Sequence, residues 1–512
     1  METELKMLVN PENAKALRQH PLLKKYALEQ PHEQTLSGIY FDTPSYDLRH
    51  ADAGLRVRQV DNDWVQTLKA GGQAAGGLHE RQEWESKVNG PIPDLAALEQ
   101  LIDPKSAYAK LIKKVSEPNR LLPTFTTKVK RTLWELRLPD GDEVECVIDQ
   151  GSIEHGANKS LISELELELK SGNPKHLFDF ALQLQRDVPM QIGNLSKADR
   201  GYALLAPPDI AAVKAAPLQL SPSMSVEEAF KAIINNCLSQ IQANETGVTT
   251  QHDVESVHQM RVGLRRLRSA LGMFKKVIVC PDELQDRLRW LGTELGAARD
   301  WDVLTEATLP TLQRKIAGKV SLKPISEATR EVARKNHDTA AAAVLSPQYT
   351  ELILMFYGWM QGDEWRASLT SAQRRTLSKP VSRFSDKTLL HDQERLLRRG
   401  IHLKGADPET RHQVRIAAKK TRYATEFFAS LYPAKRVRPY VKALSGLQDE
   451  LGWLNDAAVA SKLLEELETA QPDLRGNIGF VRGYLACSTE SDDVELCRLW
   501  TVFKPMPLPC KK

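Results

Sequence analysis

The six cysteines of this 512-residue chain (Cys146, Cys237, Cys280, Cys487, Cys497 and Cys510) are scattered, with no Cys-x-x-Cys pair among them. Such spacing argues against a cysteine zinc site and a disulfide framework, and it fits a reducing compartment. No run of 18 or more apolar residues occurs, so no membrane-spanning helix and no membrane partner are expected. The opening residues are acidic rather than basic and then apolar, unlike a secretory leader, and a cytoplasmic location is expected. Charge of one sign is not in excess either. Seventy Lys and Arg against 66 Asp and Glu leave +4, too little for bulk attraction to nucleic acid. Aromatic residues are 6% of the chain and do not interleave with its basic stretches to stack bases, so nucleic acid is not an expected partner. A P-loop, a Gly-x-Ser-x-Gly elbow and a His-Glu-x-x-His pair are all missing, which removes the usual hydrolase sites.

What is present is a folded composition, 41% apolar and 27% charged, on a chain long enough for two or three cores. Residues 1–204 read as strands separated by turns, with helices expected over Pro11–Leu28, Leu95–Lys114 and Pro174–Gln185: an α+β domain dominated by an antiparallel sheet. Residues 205–225 are rich in Pro and Ala and form a linker. From Ser225, an N-cap with Glu228 three residues on, the chain reads as helix across residues 226–505. Separate helices are expected there over His391–Leu403, Val437–Gly452 and Asp456–Glu468, among others.

The strands carry the first chemical signal. Glu2, Glu4 and Lys6 alternate with Thr3, Leu5 and Met7, and Glu164, Glu166, Glu168 and Lys170 alternate with three leucines. A strand sends alternate side chains to opposite faces. A sheet of such strands curled closed would line its lumen with carboxylates (Glu2, Glu4, Glu164, Glu166, Glu168) and cations (Lys6, Arg56, Arg58, Lys69, Lys197, Arg200). Lys128, Lys130 or Arg131 would join the cations; period two puts the lysines on one face and the arginine on the other. Carboxylates two apart on a strand lie roughly 6 to 7 Å from one another, close enough to share a hard cation. Arginine clamps phosphate oxygens, so the lumen suits a polyanion with its metal ion.

The helices carry the second. His258-Gln259-Met260-Arg261-Val262 matches His412-Gln413-Val414-Arg415-Ile416 at an offset of 154 residues, and the echo continues to Asp300 and Asp456. His258, Arg261, Arg265 and Arg268 share one helical stripe, as do His412, Arg415, Lys419 and Arg422. Two related bundles, each with a cationic ridge, are expected, and a linear polyanion could lie across them. Each leading histidine is expected to add charge below about pH 6.5.

These residues resemble the CYTH domain of the triphosphate tunnel metalloenzymes followed by a CHAD domain, as in bacterial inorganic triphosphatases. The likeness rests on Glu2-x-Glu4-x-Lys6, Leu55-Arg56-Val57-Arg58, Thr67-x-Lys69, Arg81-x-Glu83-x-Glu85, Ile148-Asp149-Gln150-Gly151, Glu164-Leu165-Glu166-Leu167-Glu168, Ser196-Lys197-Ala198-Asp199-Arg200-Gly201-Tyr202 and the two histidine helices. It implies an eight-stranded antiparallel tunnel that hydrolyses inorganic triphosphate, with Mg2+ or Mn2+ as cofactor. Glu2, Glu4, Glu164 and Glu166 would hold the metal or orient water, and Lys6 would act beside Glu2, Glu4 and Glu166 in catalysis. Arg56, Arg58, Lys69, Arg131, Lys197 and Arg200 would hold phosphates. The helical domain would bind inorganic polyphosphate, with association to polyphosphate granules as a corollary. Thiamine triphosphate or a nucleotide are alternative substrates, and a non-catalytic polyphosphate-binding protein is the alternative class.

Overall fold

The computed structural model describes residues 2–61, 63–116, 120–207, 210–316, 320–490 and 493–510. The chain divides into two compact units, residues 1–209 with 347–363, and residues 210–346 with 364–512.

The first unit is built on strands β1 (Glu2–Val9), β2 (His32–Asp42), β3 (Ala53–Val60), β4 (Asp63–Ala75), β5 (Leu78–Val88), β6 (Leu122–Arg137), β7 (Glu143–His155), β8 (Asn158–Ser171) and β9 (Met190–Ile192). Eight of them run β5-β4-β3-β2-β6-β7-β8-β1, and β5 pairs with β1 to close an antiparallel barrel; β9 adds to β1. Closure leaves the alternation of each strand only two destinations. Outward-facing Leu5, Met7, Leu165 and Leu167 are fully buried, and helix Pro174–Asp187 packs against β1 and β8. Leu55, Val57 and Leu68 pack under Leu98, Ala109 and Ile112. Inward-facing residues are polar. The β4–β5 hairpin turns on Gly76 and Gly77, both at positive φ (63° and 81°), the backbone that a two-residue hairpin loop demands.

Helix Pro11–Leu28 is broken into Ala14–Arg18 and Pro21–Tyr26. Pro21 disfavours helix at the residue before it, and the His20 ring instead accepts the Leu22 amide as a cap. A further helix, Pro347–Gln361, falls within the residues 226–505 read as one helical domain but packs with the barrel unit. Its Tyr357 stacks on Phe178 at 6.1 Å, and Thr350 Oγ1 donates to the Met190 carbonyl at 2.9 Å.

The second unit is helical and repeats itself. Helices Val226–Gln242, Val254–Phe274 and Asp282–Asp302 correspond to Val381–Arg399, Pro408–Phe427 and Ala434–Ala470. The copies meet reciprocally: Val226 N donates to Lys379 O (2.9 Å) and Val381 N to Met224 O (2.8 Å). Val257, Met260, Leu264, Leu267 and Phe274 form the buried face of their helix. The helices expected over Val437–Gly452 and Asp456–Glu468 are one, Ala434–Ala470. A helical glycine costs only about 1 kcal/mol, and burial of Leu451 and Ala457 on either side of Gly452 outweighs it. The helix expected over His391–Leu403 starts a decade earlier, at Val381, and gives way to a 3-10 turn at Gly400. Among the described residues, no helix is long and apolar enough to cross a membrane.

Candidate functional site

The barrel encloses a cavity of about 560 Å3 lined by charge of both signs. Cations reach it as Lys6, Arg56, Arg58, Lys69, Arg81, Arg131, Lys170 and Lys197, and carboxylates as Glu2, Glu4, Glu83, Glu85, Glu145, Glu166 and Glu168. Uncharged side chains contribute little wall, chiefly Tyr40, Thr67 and Val147.

One wall is self-neutralised. Lys6 Nζ lies 2.9 Å from Glu166 and 3.3 Å from Glu4. Lys197 Nζ lies 2.8 Å from Asp149, 2.5 Å from Glu164 and 2.8 Å from Glu166. Arg131 bonds Asp149 through two nitrogens (2.9 and 2.8 Å) and reaches Glu166 at 3.3 Å. Lys197 is delivered here by its helix, Lys197–Leu205, whose start is fixed by a reciprocal cap: Ser196 Oγ accepts from Asp199 N, and the Asp199 carboxylate accepts from Ser196 N. Burial by itself would lower Lys6, but Glu166, Glu4 and Glu164 hold it well above its ordinary value. Burial would raise Glu166, and Lys197, Lys6 and Arg131 hold it well below the usual carboxylate range.

The opposite wall lacks such balance. Arg56 and Arg58 stand two apart on β3, and the buried Nε of each has no hydrogen-bond partner. Arg58 is pushed down to about 9, first by the charge of Arg56, then by burial and Arg131. Room for Arg56 comes from Gly38 on β2, where a Cβ would lie 3.3 Å from the Arg56 Cδ and 2.8 Å from Thr127 Oγ1. Lys69 Nζ is held by Glu2 at 2.7 Å. Burial would lower it, and Glu4, Glu2 and Glu83 raise it.

A third zone is acidic. Glu168 sits opposite Glu4 on β1 and opposite Glu145 on β7. Burial raises the Glu168 carboxyl, Lys170, 2.7 Å from Glu168 and 3.4 Å from Glu145, offsets part of this at the rim, and Glu2 and Glu145 add to the rise. Like charges directly across a sheet are destabilising unless a cation joins them. The donors are all carboxylate oxygens, the set that a hard divalent cation takes. A second carboxylate group, Asp149, Glu164 and Glu166, brings ligand atoms within 4.8 Å of one another, but Lys6, Arg131 and Lys197 already neutralise it.

Of the residues singled out in the sequence, Glu2, Glu4, Lys6, Arg56, Arg58, Lys69, Arg131, Glu166 and Lys197 all line the cavity. The three-way ambiguity on β6 resolves to Arg131, since Lys128 and Lys130 face outward and pair with Glu154 and Glu33 at 3.0 Å. Glu164 and Arg200 do not line it. Glu164 is fully buried, and Arg200 is turned to Glu164 Oε2 (3.1 Å), Ser160 and the Leu161 carbonyl. Glu145 and His79 escaped the sequence reading, and Asp149 entered it only within the Ile148–Gly151 motif, with no role assigned, although Glu143-Val144-Glu145 and Val147-Ile148-Asp149 show the same alternation.

In the helical unit the two ridges come together. Arg261 pairs with Asp300 and Arg415 with Asp456, each at 3.8 Å, so both copies make the same ion pair. Burial lowers Arg261 and Arg415, and the aspartates only partly offset it. Lys419 is pushed down to about 7, by burial and then by Arg415 and by Arg265 from the other copy. Buried Nε atoms of Arg261, Arg265 and Arg415 have no partner. Arg268 is exposed. Arg422 is instead held by Glu426 at 2.8 Å, so the second ridge ends one cation early. His412 is exposed at its end of the ridge. His258 is pushed down to about 4 by burial and then by Arg299, so it stays neutral at the pH where a free histidine would charge.

Residues 1–202 match the CYTH domain and residues 232–465 the CHAD domain. The chain is 34% identical over 210 residues to an inorganic triphosphatase of Haemophilus influenzae, spanning 54% of that protein's length and 40% of its own. It is 40% identical to the crystal structure of a CHAD domain from the plant Ricinus communis, covering 98% of that chain and 58% of this one, with a TM-score of 0.53.

Proposed function

The chain belongs to the CYTH–CHAD proteins, and we propose from this that its barrel hydrolyses inorganic triphosphate to diphosphate and phosphate with a divalent cation, Mg2+ or Mn2+, while its helical ridges bind inorganic polyphosphate. The observation that carries the reading is the pair of half-buried arginines, Arg56 and Arg58, whose buried Nε atoms have no hydrogen-bond partner, enclosed in a lumen whose other cations are already matched by carboxylates. Desolvated guanidinium groups without partners are costly, and a polyanion supplies the missing acceptors. The lumen wall is mostly polar, with Tyr40, Val147 and Ala198 its apolar side chains, which supports the inorganic substrate over a thiamine or nucleoside.

The carboxylates of Glu2, Glu4, Glu145 and Glu168 fit a hard cation, which when bound supplies charge neutralisation to phosphate oxygens. Arg56 and Arg58 bind the terminal phosphoryl group, and Lys69 and Arg131 orient the remainder of the chain. Lys6 and Lys197, fixed by Glu166, hold two ammonium groups in place on that wall, where they meet the negative charge that gathers on the leaving diphosphate. Glu4 accepts a hydrogen bond from the attacking water and takes its proton. The new P–O bond forms at the terminal phosphorus, and the bridging P–O bond breaks to release diphosphate. Phosphate release from inorganic triphosphate, run beside ATP and thiamine triphosphate with and without Mg2+, tests this. Fast metal-dependent release favouring the inorganic substrate, lost in Glu4→Ala, is expected. No release from any of the three returns the barrel to a binding role.

A further inference from the structure

The two helical repeats differ at one place in a way that the polyphosphate reading does not use. Extending the Asp300–Asp456 correspondence pairs Trp301, Asp302 and Thr305 with Ala457, Ala458 and Ser461. Extending the His258–His412 correspondence pairs Val257 with Arg411. In the first copy all four positions are buried. Trp301 fills a core cluster with Leu304 and Leu309, and Asp302 is bonded at 2.8 Å to His337, whose helix, Lys323–Leu345, covers it. The second copy replaces tryptophan and aspartate by alanines, and Ala458 is exposed.

The missing volume is a pocket of about 660 Å3 between helices Pro408–Phe427, Ala434–Ala470 and Arg475–Glu490. Its lining is divided by chemistry. The first of these helices supplies Arg411, His412 and Arg415, with Glu409 a turn away and bonded by Gln413 at 2.7 Å, and the other two supply Leu451, Leu454 and Leu485. Arg482 also lines it, but its charge is matched by Glu465 and Glu468. The Arg415 Nε is buried without a partner, and the ion pair of Arg415 with Asp456 at 3.8 Å offsets its burial only in part. Pockets that hold small molecules span roughly 300 to 1,000 Å3, mostly apolar with a few placed polar groups. A phosphate chain has no apolar surface to set against the leucines, and a wholly apolar ligand would leave the arginines desolvated.

We propose that this pocket binds a small organic phosphate with a flat apolar body, the body lying against Leu451, Leu454 and Leu485 and the phosphate against Arg411, His412 and Arg415. The site is separate from the barrel and does not depend on its being a triphosphatase. Calorimetric titration of the full chain with 1-naphthyl phosphate tests it, in EDTA so that the barrel is idle and without triphosphate, because His412 and Arg415 belong to the ridge as well as to the pocket. Saturable binding is expected, with inorganic phosphate at the same concentration giving none. Ala458→Trp restores bulk of the first-copy kind, and Ala486→Trp fills the pocket from the facing helix; both positions are exposed, so the fold tolerates them. Each should weaken binding about tenfold or more while leaving triphosphate turnover as in the wild type. Absence of binding, equal binding of inorganic phosphate, or affinity unchanged in both filled variants overturns the assignment.

Discussion

Arg58 separates the demands of folding from those of binding. Its cation is buried beside Arg56 and Arg131 with too little negative charge to match, so the free fold gains nothing from it. Arg58→Ala should keep or raise the melting temperature while kcat/KM for triphosphate falls about 100-fold, about 2.7 kcal/mol. A fall in both would make Arg58 structural. Lys419 offers a second test. Held near 7 in the free protein, it regains its proton when a polyanion lies on the ridge, so binding takes up a proton above about pH 7 and affinity falls as pH rises from about 6 to 9. The same group makes the unfolded chain bind more protons than the folded one between about pH 7 and 10, so its contribution to stability grows with pH across that window. Calorimetry in buffers of different ionisation enthalpy should detect the uptake at about pH 8 in the wild type and not in Lys419→Met. Much of this residue-level picture was legible beforehand, because the two-residue period of a strand is local: Glu2, Glu4, Lys6, Arg56, Arg58 and Lys69 could be assigned a face from their neighbours. Which cations are already neutralised was not legible. Lys197 meets Asp149, Glu164 and Glu166 only because a capped helix and two strands converge, and Arg200, three residues further on, leaves the lumen for the same geometric reason.

At the scale of elements, the repeated histidine helices act as one device. Arg265 from the first copy depresses Lys419 in the second, so the ridges share a field instead of forming two independent stripes. Arg261→Ala with Arg415→Ala should therefore weaken polyphosphate binding by more than the product of the single effects, with triphosphate hydrolysis unchanged; a double-mutant cycle on polyphosphate affinity measures it. Purely additive losses would return each ridge to acting alone. The repeat itself was visible in sequence because helical periodicity is local, as was the Ser225–Glu228 cap that opens this half. The reciprocal backbone bonds joining Met224 and Val226 to Lys379 and Val381 were not, since backbone pairing over such a separation leaves no side-chain signature. Nor was the fusion of two expected helices into Ala434–Ala470, where packing overrides a glycine that punctuates weaker helices.

For the whole molecule, chain order and structural membership part company at Pro347–Gln361. Nine of the 15 residues of this helix are buried, Leu352, Ile353, Leu354 and Phe356 among them, and they reach round most of it, so periodicity could not say which unit owns it. Its ring stack on Phe178 and its bond to Met190 place it with the barrel. Residues 1–209 expressed alone should then show an earlier melting transition and concentration-dependent aggregation, both relieved by fusing residues 347–363 to their C-terminus; equal stability with and without that segment would make the helix a passenger. The arrangement also sets a clock. A ribosome releases the N-terminal strands first, yet the last piece of their unit is not made until residue 363. At about 5 to 20 residues per second, the barrel must wait on the order of ten to thirty seconds for it, with Phe178 and its neighbours open to solvent or to a chaperone throughout.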